Sequence, residues 1–172
     1  THDWDEAAML ADSLCVLHHG STLQQGTPDA VLFQPSNVAI ARQVDARNVF
    51  TAQLVEHENK LKLKWYDYLI DATETSQFKV DEDVHWTLSP SKVLLHQRVR
   101  KSHGEHENPL EGTIREMINL RGITTLIFNV KHTDGIRLQM DLPEHVAMRN
   151  SLKIGETISV SLLADAIHLM RE

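Results

Sequence analysis

One cysteine, Cys15, stands in 172 residues, so no disulfide can form within a chain and the sequence suits a reducing compartment. Cys15 lies in the apolar run Ser13-Leu14-Cys15-Val16-Leu17, which predicts a small buried residue. Aromatic residues make up 5%, too few for the stacking platforms of single-strand nucleic-acid binders. Basic charge is short as well: 17 lysines and arginines face 24 aspartates and glutamates, a formal charge of −7 that repels a phosphate backbone. Nucleic acid is therefore not an expected partner. No run of about 18 apolar residues occurs, so no segment reads as a membrane-spanning helix. The chain also lacks a G-x-x-x-x-G-K-[S/T] loop, and with it the backbone cradle and lysine that hold nucleotide phosphates.

Apolar residues at 41% and charged residues at 24% describe an ordinary globular chain with enough length for a sizeable core. Asp3 to Ala11 reads as a short helix capped by Asp3, Ser13 to His18 and Ser21 to Gln25 as a hairpin turning at His19-Gly20, and Thr27-Pro28 as the start of a second helix. Asn37 to about Val44 reads as a third. From Arg47 onward short alternating stretches separated by turn residues predict a mainly β fold. The charged stretch Arg98 to Asn108 reads as an exposed connector. The expected units are 1–45, then a β region 46–172 with halves of about 46–97 and 108–172 and a linker at 98–107.

Those halves repeat. Glu82, Val84, Trp86, Leu88, Val93 and Leu95 align without gaps on Glu156, Ile158, Val160, Leu162, Ile167 and Leu169, and Asn48 to Leu54 parallels Asn108 to Ile114. Val84, Trp86, Leu88 and Ile158, Val160, Leu162 are predicted to be the inward face of equivalent strands. Apolar strands such as Thr124 to Val130 suit a symmetric interface with a second copy.

Thr1-His2-Asp3, Glu6-Ala7, Ala11-Asp12, the hairpin and Gln25-Gly26-Thr27-Pro28-Asp29 together resemble the end of an ABC-transporter ATPase domain. The resemblance places His2 at the switch (H-loop) histidine that reaches the γ-phosphate of ATP. It implies ATP and Mg²⁺ for a longer parent, and no ATP hydrolysis or cofactor for this stretch, which lacks the Walker and signature motifs. The region from Ala46 onward is similar to the OB-type module called TOBE: Ala46-Arg47-Asn48 resembles the opening of molybdate-binding modules, and Leu152 to Leu169 their closing strand and turn. The expected fold is thus an OB-type β-barrel of two similar halves behind an α/β remnant. The resemblance implies the C-terminal regulatory and dimerisation region of an importer's ATP-binding subunit. Such a subunit sits on the cytoplasmic face of the plasma membrane through a transmembrane permease, with molybdate or a related oxyanion as solute. A stand-alone oxyanion sensing or storage module is the alternative.

An oxyanion is held by N–H groups, hydroxyls and a positive side chain. The candidates are Arg47, Asn48, Ser89, Ser91 and Lys92. In the second half the element equivalent to Ser89–Lys92 reads Leu163-Ala164-Asp165, where a carboxylate repels an anion. Asp45 stands where the family carries a serine. Eleven histidines include His103-x-x-His106, but with no cysteine partner no metal site is expected. Nor does any Ser-His or Glu-His neighbour form a preorganised nucleophile and base.

Overall fold

A computed structural model of the chain describes residues 3–96 and 106–172. His2, His103 and most of the expected connector lie outside the described residues.

The N-terminal elements form where the capping chemistry predicts. Helix α1 (Trp4–Leu10) starts at Asp3, whose carboxylate accepts from Glu6 N–H at 2.9 Å. Strands β1 (Leu14–His18) and β2 (Ser21–Gly26) pair around His19-Gly20, both with positive φ, as a two-residue hairpin requires. Helix α2 (Pro28–Phe33) is capped by the Thr27 hydroxyl and α3 (Val38–Gln43) by the Asn37 amide. Ala7, Leu14, Val16, Val31, Ile40 and Val44 make a small core here. Cys15 departs from the sequence expectation: Leu14 and Val16 point inward, so the alternation of the strand turns Cys15 outward, where its thiol lies 3.6 Å from Thr22 Oγ1.

The rest is two five-stranded curled sheets of OB type around one continuous core. The first half contributes β3 (Val49–His57), β4 (Lys60–Trp65), β5 (Tyr68–Ile70), β6 (Asp83–Thr87) and β7 (Val93–Leu95). The second contributes β8 (Glu107–Leu120), β9 (Ile123–Val130), β10 (Arg137–Pro143), α4 (Glu144–Arg149), β11 (Thr157–Leu163) and β12 (His168–Met170). Strand order is β12-β6-β3-β4-β5 in one sheet and β10-β9-β8-β11-β7 in the other. Each half therefore gives its last strand away: β7 completes the second module on β11, and β12 completes the first on β6.

The repeat is visible in detail. Short 3₁₀ turns at Pro90–Lys92 and Ala164–Ala166 precede the exchanged strands at equivalent positions. Val84, Trp86, Leu88, Ile158, Val160 and Leu162 are all buried, and Trp86 stacks edge-on to Trp65 at 5.2 Å and near Phe50 at 4.9 Å. The connector is shorter than the sequence implies, because β8 begins at Glu107 and Asn108 is buried. Thr124, Leu126, Phe128 and Val130 are also buried, so the apolar side of that strand is spent on the module's own core instead of a subunit interface.

Arg171 ties the chain's end to the first module. Its Nε donates to Glu82 at 2.9 Å, its Nη2 donates to the Gln77 carbonyl at 2.9 Å, and the guanidinium lies 4.9 Å over the Phe78 ring. The Arg171 bond, helped by Lys79 N–H, holds the Glu82 carboxyl below the usual carboxylate range. A carboxylate depressed in the folded state stabilises above its unfolded pKa and loses that contribution as pH falls through the folded one. The melting temperature is thus expected to drop as pH falls below the ordinary value of 4.5, and Glu82→Gln to flatten that acid limb in thermal melts.

Candidate functional site

The five candidate residues separate into three environments. Arg47 and Ser89 line a cavity of about 550 Å³ between the N-terminal elements and the β modules, with Asp3, Trp4, Phe33, Asp45 and Asp141 in the same wall. Arg47 Nε lies 3.9 Å from Asp45 Oδ2 in a largely exposed pair. Asp141 accepts from Thr125 Oγ1 at 2.6 Å. Among the described residues this wall holds three carboxylates and one guanidinium, and Arg47 is already within 4 Å of one of those carboxylates.

Ser89 also borders a smaller cavity of about 170 Å³ with Ser91, Lys92, Glu74, Asp165 and His168. The 3₁₀ turn brings Ser89 Oγ within 2.9 Å of Ser91 Oγ. Hydroxyls and an ammonium line it as the sequence suggests, but Glu74 and Asp165 line it too. His168 donates from Nε2 to the Pro35 carbonyl at 2.9 Å, with Nδ1 4.0 Å from Glu74.

Asn48 is in neither cavity. Fully buried at the start of β3, it donates from Nδ2 to the Gln139 carbonyl at 2.9 Å and accepts from Gln139 N–H at 2.9 Å. Its amide behaves as a peptide group paired with one residue of the other half. Asn108, which sequence alone places at the end of the connector, does the same in reverse. It accepts from Asp71 N–H at 2.7 Å and donates to the Asp71 carbonyl at 2.9 Å and the Leu162 carbonyl at 3.2 Å. The signal that locates this pair is the repeat itself, since Asn48 and Asn108 are equivalent positions.

A third hollow, about 300 Å³, is bounded by Tyr68, His96, Pro109, Glu111, His132 and Ser159. The Tyr68 hydroxyl donates to the Lys131 carbonyl at 2.9 Å, and burial pushes its phenol above the ordinary value of 10.0. His96 Nε2 lies 2.6 Å from Ser161 Oγ and 3.9 Å from Glu107 Oε2. Both neighbours address the same ring nitrogen, which is not the geometry of a nucleophile, base and orienting carboxylate. Among the described residues no group of three or more His, Cys, Asp or Glu side chains is placed to hold a metal, and no helix is long and apolar enough to cross a membrane.

No protein-family model matches the chain. Over its whole length it is 25% identical to the spermidine/putrescine import ATP-binding protein PotA of Clostridium acetobutylicum and 26% identical to that of Mycoplasmopsis synoviae, spanning 43% and 34% of those proteins. Over 55% of its length it is 32% identical to the protein of the same description in Hahella chejuensis, of which the match covers 27%. The chain thus spans less than half the length of these relatives and is similar to their C-terminal part. Among solved structures it resembles the cytoplasmic molybdate-binding protein ModG with molybdate bound, at a TM-score of 0.62 and 18% identity, over 74% of this chain and 98% of that one. This second likeness is one of fold, and it supports the expected OB-type architecture.

Proposed function

We propose that the chain is the C-terminal regulatory portion of the ATP-binding subunit of an importer, and that the solute of the parent is a polyamine rather than an oxyanion. One observation carries the reading: the similarity to import ATP-binding proteins runs through the helices, the hairpin and both β modules, covering 100% of the chain. A free-standing storage module has no use for the N-terminal elements, and the likeness to ModG leaves about a quarter of the chain unmatched.

The solute is inferred from the relatives' descriptions and from charge. Wherever the candidate residues meet a cavity, carboxylates stand with them: Asp3, Asp45 and Asp141 beside Arg47, and Glu74 and Asp165 beside Lys92. An oxyanion meets repulsion in both places. In this reading ATP and Mg²⁺ are bound by the longer parent, as the resemblance to an ABC-transporter ATPase domain implies. In this arrangement the permease is a partner of the whole subunit, and the double module holds two such subunits in register.

The reading is tested in cells with the parent gene disrupted, by uptake of labelled spermidine and labelled molybdate. Loss of spermidine uptake with molybdate uptake intact is the expected result; the reverse overturns it. In calorimetry on this chain, molybdate and sulfate are expected to bind no tighter than about 1 mM, the range of a merely weak association. A micromolar molybdate isotherm would favour the oxyanion module instead.

A further inference from the structure

The internal repeat reaches the outer side of both modules, and there the two halves differ. Continued by one position, the alignment of Leu95 with Leu169 sets His96 against Met170, and that of Asn48 with Asn108 sets Val49 and Thr51 against Pro109 and Glu111. The strands keep the correspondence. In the first module Met170 and Thr51 both pair with His85; in the second Glu111 pairs with Ser159, whose carbonyl accepts from His96 N–H at 2.9 Å. What covers the two places is not the same. Val38 and Ala41 of α3 pack on Met170, with Val49 against them, and leave Met170 2% exposed. Among the described residues, the equivalent place in the second module is the hollow of about 300 Å³. Counted back from Asn108 as Val38 and Ala41 are from Asn48, the sequence carries Arg98 and Lys101. It supplies no apolar pair to fill the place.

The walls of this hollow are rings. His96 and Pro109 stand where the first module has the aliphatic Met170 and Val49, and the Tyr68 and His132 rings meet edge to face with centroids 6.5 Å apart. The His96 side chain is 5% exposed and bonded to Ser161, so this wall is held in place. Hollows lined by aromatic and apolar side chains with a few converging polar groups are where small molecules bind. The polar groups here are acceptors. The Tyr68 hydroxyl spends its proton on the Lys131 carbonyl and keeps its lone pairs. Glu111 takes Lys131 Nζ on Oε2 at 2.9 Å, and an ionised carboxylate accepts several bonds at once.

We propose that this hollow binds a flat aromatic ring bearing an N–H donor, such as an indole or a purine base, held by the Tyr68, His132 and Pro109 rings with its N–H directed at the acceptors of Tyr68 and Glu111. The site goes beyond the import reading, which rests on the relatives and on the other two cavities.

The test is NMR of the whole chain titrated with indole and, separately, with adenine. One or both are expected to shift the resonances of Tyr68, His96, His132 and Ser159 with a Kd below about 1 mM, within reach of a ligand of about ten heavy atoms; the tighter of the two names the source of the ring. Benzofuran, which has the shape of indole with oxygen in place of the N–H, is expected to bind about threefold to tenfold more weakly than indole, the net worth of one hydrogen bond. Ser159→Trp, which fills the hollow, and Tyr68→Leu, which removes a ring and an acceptor, are each expected to weaken binding by at least about tenfold, with thermal melts showing which variant is folded. No shift with either ring at about 5 mM overturns the proposal, as does equal binding of benzofuran or binding untouched in a folded variant. A peptide of residues 35–44 that occupies the hollow when the rings do not also overturns it, and makes the place a seat for a helix as in the first module. Spermidine is expected to leave the four residues unmoved; if it shifts them, the ring assignment falls and the import reading stands.

Discussion

Replacing Asn108 by alanine is expected to lower the unfolding free energy by about 2 kcal/mol, from two part-buried backbone groups stripped of partners at the lower end of the range of about 1–3 kcal/mol each. The groups are the N–H and C=O of Asp71, which the Asn108 amide satisfies together at 2.7 and 2.9 Å. Asn108 is 4% exposed while Asp71 is half-buried, so water replaces the lost bonds only in part. Because Asn48 holds Gln139 by the same two-point pairing, Asn48→Ala is expected to cost a similar amount. Each site joins one half to the other, so the double variant is expected to be less stable than either single variant. Urea denaturation is the measurement; a loss below about 1 kcal/mol, the net worth of one ordinary hydrogen bond, would mean that the latch contributes nothing special.

Gly112→Ala is expected to destabilise by about 3 kcal/mol, the upper part of the range for overpacking. Gly112 is an ordinary extended residue at the centre of β8, and its need is for space rather than for an unusual φ. A Cβ there would sit 2.4 Å from Phe128 Cδ2 and 2.8 Å from the Asn129 carbonyl oxygen. Phe128 is itself fully buried and has nowhere to withdraw. The backbone carbonyl moves only if β9 moves with it. A partial rescue by Gly112→Ala with Phe128→Leu, read in thermal melts, would identify the ring as the main obstacle.

Sequence reading reaches the parts of this fold whose signals are local. Asp3 and Thr27 cap the helices they precede as expected, Asn37 proves to be the cap of a helix it was expected to begin, and the inward alternation of β6 and β11 is as the repeat predicts. Cys15 goes the other way because Leu14-Cys15-Val16-Leu17 is apolar throughout and carries no alternation; only the packing of β1 decides its side. The exchange of β7 and β12 is not legible either. Each strand has three residues, and nothing in Val93–Leu95 says that its neighbour is β11 rather than a strand of its own half. Within the candidate site, Arg47 and Ser89 do come to one cavity. The carboxylate that changes its character, Asp141, arrives from a strand that is 94 residues beyond Arg47 and 52 beyond Ser89 in sequence, outside any local pattern. Asn48 invites a ligand role because a buried amide and a ligand-binding amide look alike until its partner is known.

The exchanged strands have a mechanical meaning. Strand β12 is covalently the end of the second half, hydrogen-bonded into the first module's sheet, and fastened to the segment between α2 and α3 by His168 on the Pro35 carbonyl and by the Asn37–Arg171 bridge. A load applied at those helices therefore enters both modules through one strand. Strand β7 crosses in the opposite direction, from the first half into the second module's sheet. Drawing one module away from the other therefore means breaking strand hydrogen bonds in both sheets at once.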